Sequence, residues 1–201
     1  MSIERRVQLV ENLFYQLEQE IAQFEQVSGM YCVSGCGKCC TYPDVEASPL
    51  EFLPWAFHLF LNGEAEKTLL MLNEIKSSNC LIYKPLSIIG QGRCGNYKYR
   101  GLICRLFGFG ANTDKYGNLR LATCKIIKEG QADDYNTTSE AITKGLHVPV
   151  FTEYYMQLNQ IDFNLGNMIL PINKALKMAL EEVLQYYAYR SFPKDFKKKS
   201  V

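Results

Sequence analysis

A chain of 201 residues, 47% hydrophobic and 21% charged, is long enough to bury a core and has an ordinary globular composition. A formal net charge of +1 offers no basic footprint, so nucleic acid is not expected as a partner. No segment approaches the roughly 20 apolar residues that span a bilayer, so no membrane-spanning helix is expected. The start, Met1-Ser2-Ile3-Glu4-Arg5-Arg6, leads into an amphipathic pattern rather than an apolar signal core. The expectation is a single cytoplasmic domain over 1–201. In that compartment clustered cysteines hold metal more often than they form disulfides.

Residues 2–28 predict a long N-terminal helix. Ile3, Val7, Val10, Phe14, Leu17, Ile21 and Phe24 recur at steps of four and three, with Ser2 placed to cap it and Ser28-Gly29 to stop it. A nest of four cysteines comes next, Cys32, Cys36, Cys39 and Cys40, with Gly35 and Gly37 between them. Ser48-Pro49-Leu50-Glu51 is a helix start, and Pro54 either kinks that helix or moves its true beginning later. Asn62-Gly63 separates it from a second helix over about 64–78.

From 80 to 124 the texture changes to short apolar runs at 81–83, 103–107 and 119–122, split by glycines and read as short strands. Tyr116-Gly117-Asn118 marks a turn there, and the segment carries Cys80, Cys94, Cys104 and Cys124. Helices return in the C-terminal region: one or two turns at 138–144, a helix from Pro149 to about 163, and a long one opened by Pro171. Residues 194–199 form a solvated basic tail. The fold class expected is mainly α with a small irregular α+β cysteine-rich centre at 30–125. Helices over 2–28 and 126–201 flank this metal-binding core.

Zinc takes four thiolates at about 2.3 Å, so ligand sulfurs must converge, and a two- or three-residue gap containing glycine lets the chain turn around an ion. Eight cysteines fill two four-thiolate zinc sites, or one iron–sulfur cluster with four left over. With no histidine close by, sulfur-only coordination is expected. In extended backbone Cys39 and Cys40 point to opposite sides and serve two centres, although a tight turn can direct both to one. Lys38, Arg93, Arg105 and Lys125 each adjoin a cysteine, where a cation lowers a thiol pKa. The triple Cys32-x3-Cys36-x2-Cys39 has the spacing of radical S-adenosylmethionine enzymes, but the repeated strand–helix units of their barrel are missing.

Other features read as structural. His58 belongs on the edge of the core, and His147 has no partner at ligand spacing. Gly90-Gln91-Gly92 and Gly108-Phe109-Gly110 lack the lysine of a phosphate loop, and Asp133-Asp134 is a solvated pair.

The cluster at 32–40, the segment Arg93-Cys94-Gly95-Asn96-Tyr97 and the pair Cys104-Arg105 together resemble the YkgJ-like cysteine-cluster family of CxxCxxCC type, described as zinc- or iron-chelating domains. The resemblance covers about 30–125. It departs from the family in a three-residue first gap and in Gly101, where proline is usual, a change that loosens the approach to Cys104. It implies metal binding through Cys32, Cys36, Cys39, Cys40, Cys80, Cys94 and Cys104, with Cys124 as an eighth ligand. The function expected is a protein holding zinc or an iron–sulfur cluster, in one or two centres, in a structural or electron-transfer role with an unnamed redox or protein partner. The first alternative is a metal-dependent enzyme with an open coordination position, an oxidoreductase or a protein lysine methyl transferase, as some relatives are named. The second is a disulfide-stabilised domain without metal.

Overall fold

The computed structural model describes residues 1–86 and 91–193. The glycine at 90 and the basic run at 194–199 lie outside the described residues. In chain order the helices are α1 (Ile3–Ser28), α2 (Leu53–Leu61), α3 (Ala65–Glu74), α4 (Leu102–Leu106), α5 (Lys125–Gly130), α6 (Ala132–Thr143), α7 (Phe151–Ile161), α8 (Phe163–Gly166) and α9 (Ile172–Tyr187). Three antiparallel pairs accompany them: β1 (Glu46–Ala47) with β6 (Leu170–Pro171), β2 (Tyr83–Pro85) with β3 (Gly92–Cys94), and β4 (Ala111–Thr113) with β5 (Leu119–Leu121). The mainly α architecture with a small cysteine-rich α+β centre is as expected. No helix among the described residues is long and apolar enough to cross a membrane.

α1 forms because its apolar seam matches the helical period and both ends are capped. All seven seam residues are buried, Ser2 Oγ accepts from Arg5 N at 3.3 Å, and Gly29 closes the last turn at φ 70°. The seam rests on α2 and α7, and α2 in turn packs on α9, whose Leu176, Ala179, Leu180 and Val183 are fully buried. Pro54 occupies the second position of α2, where no helical hydrogen bond is lost, so Pro49–Phe52 forms a separate 3-10 turn before it. Polar ties fix α1 to the C-terminal helices. Arg6 donates to Asp162 at 2.8 Å and Glu182 at 2.7 Å, and the Tyr187 hydroxyl donates to Glu4 at 2.6 Å.

Three expected elements differ, and tertiary contacts explain each. The helix expected over 64–78 stops at Glu74 because Asn173 of α9 captures the chain just beyond it. The Asn173 Nδ2 donates to the carbonyls of Ser77 and Asn79, and its Oδ1 accepts from Leu81 N. The run at 103–107, expected as a strand, is α4, because buried Glu51 accepts from Ile103 N and satisfies a donor at the helix start. The one or two turns expected at 138–144 belong to the longer α6, which begins at Ala132. The hairpin at Gly117 (φ 85°) forms as read, with Ala111 opposite Leu121.

Candidate metal centre

The cysteine nest is a loop that folds back twice. Cys36 N donates to Val33 O at 3.2 Å and Cys40 N to Gly37 O at 3.0 Å, the second bond opening a 3-10 turn over Lys38–Thr41. Gly37 has φ 58°, and a Cβ there would lie 2.6 Å from the Gly92 carbonyl, so only glycine combines that conformation with that approach. The adjacent Cys39 and Cys40 are therefore on a tight turn and not on extended backbone. Their sulfurs are near enough that the Cys40 thiol donates to Cys39.

Each downstream cysteine is held on its own support. Cys80 N donates to Cys40 O at 3.2 Å. Gly92 N donates to Gly35 O at 3.1 Å, which lays β3 and its Cys94 against the nest. Cys104 rides on α4, whose start is held by Glu51. Cys124 precedes α5 as its cap, its sulfur accepting from Ile127 N at 3.5 Å. Gln131 clasps Tyr31, beside Cys32, through two hydrogen bonds of 2.9 and 2.8 Å.

The thiols sense one another. Partial burial raises the Cys32 pKa, with Cys39, Cys36 and Cys124 adding to the shift. The hydrogen bond from Cys40 lowers Cys39 to about 6 and, in return, raises Cys40, which Cys80 and Cys104 raise further, so the pair retains one proton on Cys40. Burial lifts Cys80 to about 11 and raises Cys104, with Cys94 and Cys39 adding to both shifts. Cys39 figures among the influences on Cys32, Cys40, Cys80, Cys94 and Cys104, so its thiol is felt both within the nest and by the downstream cysteines. All eight are free thiols, and only Cys32 and Cys39 are exposed. Among the described residues no three His, Cys, Asp or Glu side chains converge closely enough to hold an ion. The donor set is nonetheless the soft, sulfur-only one that suits zinc or iron.

Two side chains to which the sequence reading gave no role among the thiols organise this ground. The Arg100 guanidinium lowers the pKa of Cys32, Cys39 and Cys94, so its charge acts on the nest and on β3 alike. It also lies 4.1 Å over the Tyr97 ring and donates to its hydroxyl at 2.6 Å. Of the four cations that adjoin cysteines in sequence, only Arg105 figures among the leading influences on a thiol, Cys94. Buried Arg105 instead clamps the loop to α1: it pairs with Glu18, donates to the carbonyls of Lys98 at 2.6 Å and Arg100 at 3.0 Å, and covers the Phe14 ring. Glu51, fully buried, accepts from Ser48 N at 2.8 Å and Ile103 N at 2.9 Å. Its place in Ser48-Pro49-Leu50-Glu51 was legible only as a helix signal.

Gly101 does not loosen the approach to Cys104. It is buried, and a Cβ there would meet the Phe52 ring at 2.8 Å and the Glu51 carboxylate at 2.9 Å. His58 stacks on Tyr99 at 4.6 Å, and burial lowers its pKa, while exposed His147 lies 3.2 Å from Glu20. Both are structural positions away from the thiols.

Residues 31–135, just over half of the chain and including all eight cysteines, match the model of the CxxCxxCC family, whose description reads "Putative zinc- or iron-chelating domain". No curated protein and no solved structure matches.

Proposed function

The chain belongs to the CxxCxxCC family, and from that premise we propose that its eight cysteines hold zinc or iron in two neighbouring centres. Cys32, Cys36, Cys39 and Cys124 supply one; Cys40, Cys80, Cys94 and Cys104 supply the other. The observation that carries this reading is the mutual influence of thiols drawn from four distant segments onto one loop. Thiolates so placed repel one another, and a bound cation reverses the sign of that interaction.

A metal here supplies cross-links, and the local structure calls for them. The two hairpins of the centre have three paired positions each, too few for independent stability. The chain's residues do the rest: Gly37 lets the loop close, Glu51 sets α4 under Cys104, and Arg100 offsets the anionic charge of a thiolate shell. We read the role as structural or electron-carrying, within a single domain over 1–201 whose buried core runs from Ile3 to Tyr187.

Serine substitutions test both the ligands and their division. Cys124→Ser or Cys36→Ser lowers the bound metal from about two equivalents to about one, as does Cys94→Ser or Cys104→Ser. Combining one substitution from each set removes nearly all of it, whereas combining two within a set removes no more than one does. Full metal content in Cys94→Ser and Cys104→Ser together overturns the reading.

The exposure of Cys32 and Cys39 favours a second reading for the centre they share, in which one of its coordination positions opens to solvent and serves catalysis. A sulfur count of three at that centre, with an oxygen ligand completing the shell, distinguishes it from a closed site.

A further inference from the structure

The chain's net charge hides a strong asymmetry. Of its 22 Lys and Arg and 21 Asp and Glu, ten bases but a single acid, Asp114, fall between residues 75 and 128. The helices around this segment carry most of the acidic residues. Such a division is a matter of partners rather than of fold.

The asymmetry has a focus. Strand residues alternate in direction, so the β2–β3 ribbon has two faces. One face bears Tyr83, Gly92 and Cys94, and the cysteine loop joins the ribbon along the β3 edge, where Gly92 N donates to Gly35 O and Gly37 comes close to Gly92 and Tyr83. The other face bears Lys84 and Arg93, directly opposite each other and both exposed. Like charges in that register are destabilising. Neither forms an ion pair or side-chain hydrogen bond with any described residue, and the same holds for the exposed Lys38 ammonium, one residue beyond the Gly37 contact.

We propose that this outer face is a docking surface for an acidic protein. Its border decides in favour of a protein: Val33 and Leu86 are exposed at 44% and 39%, and Leu86 follows Lys84 by two residues and lies against Gly35. Exposed aliphatic side chains in the same short segments as the cations match a protein surface that combines apolar groups with carboxylates. A phosphate backbone would leave them unused. Val33 and Lys38 adjoin Cys32 and Cys39 in the chain, and both thiols are exposed, so a docked partner covers them. What the docking serves rests on the metal reading above; the binding itself does not.

The test uses the full chain as purified and three fluorescent probes: a Glu-rich amphipathic peptide, the same peptide with Gln for Glu, and a single-stranded oligonucleotide of equal charge. The acidic peptide binds at least about tenfold tighter than either of the others, and the preference shrinks as salt rises. Lys84→Glu separates docking from folding. It places a carboxylate opposite Arg93, so the ribbon is at least as heat-stable and the metal content is unchanged, while peptide affinity falls about fivefold or more. Lys67→Glu, on exposed α3, leaves affinity as it was. Equal binding of the acidic and Gln peptides, tighter binding of the oligonucleotide, or self-association in place of peptide binding overturns the proposal. So does a Lys84→Glu variant that keeps full affinity.

Discussion

Replacing Glu51 with alanine removes the side chain that joins the first helical layer to the cysteine centre. Its two carboxylate oxygens accept from Ser48 N and Ile103 N, it has no exposed surface, and the Tyr155 hydroxyl also donates to it. Alanine leaves both backbone donors buried without acceptors, at about 1–3 kcal/mol each. Against that, burial raises the Glu51 pKa, so part of the cost of an enclosed carboxylate disappears with it. The balance is a loss of about 3 kcal/mol, or roughly 6–12 °C in melting temperature for a chain of this size. Denaturant unfolding of reduced, metal-free protein reads this loss directly. A change below about 0.5 kcal/mol refutes the assignment of Glu51 as the support of α4. The pH dependence has a definite sign. Since the folded carboxyl holds its proton above the ordinary 4.5, its contribution to stability is whole below about pH 4.5 and is lost as pH rises through the folded value. Glu51→Gln flattens the slope of stability against pH; an unchanged slope contradicts the burial argument.

Gly37→Ala and Gly63→Ala make a matched pair, since both glycines have positive φ but only Gly37 has backbone where a Cβ would go. Each loses about 1–2 kcal/mol for the left-handed conformation, and Gly37→Ala loses clearly more, along with bound metal; equal losses by urea unfolding refute the close approach. Arg105→Lys keeps the charge but cannot serve Glu18 and the Lys98 and Arg100 carbonyls at once, so it costs about 1–3 kcal/mol by the same measurement. A variant within about 0.5 kcal/mol of the parent shows that the fork geometry is not needed.

The sequence disclosed the features that local pattern decides. The α1 seam from Ile3 to Phe24 is buried throughout, Gly29 ends the helix, Gly117 turns a hairpin, and Pro171 opens α9. The family was legible for the same reason, because its signal is a spacing. The misread stretches are those where a distant side chain decides. Asn173 breaks the helix expected to reach 78, and Glu51 makes a helix of the apolar run around Cys104. Of the two backbone arrangements left open for Cys39 and Cys40, the Gly37-led 3-10 turn realises the tight one. Arg100 gave no sequence signal as a charge between thiols, since it is four residues from the nearest cysteine in the chain and meets the others only through folding. The clustering of cations after residue 75 was in the sequence throughout, but the total of +1 conceals it.

The most direct measurement is metal analysis of anaerobically purified full-length protein, with X-ray absorption at the edge of the metal found. Two thiolate-bound zinc or iron centres per chain are predicted, with sulfur-only protein ligands at roughly 2.3 Å. A chain that carries no metal and exposes eight freely titratable thiols while still folded contradicts that prediction, as does a first shell built from nitrogen and oxygen.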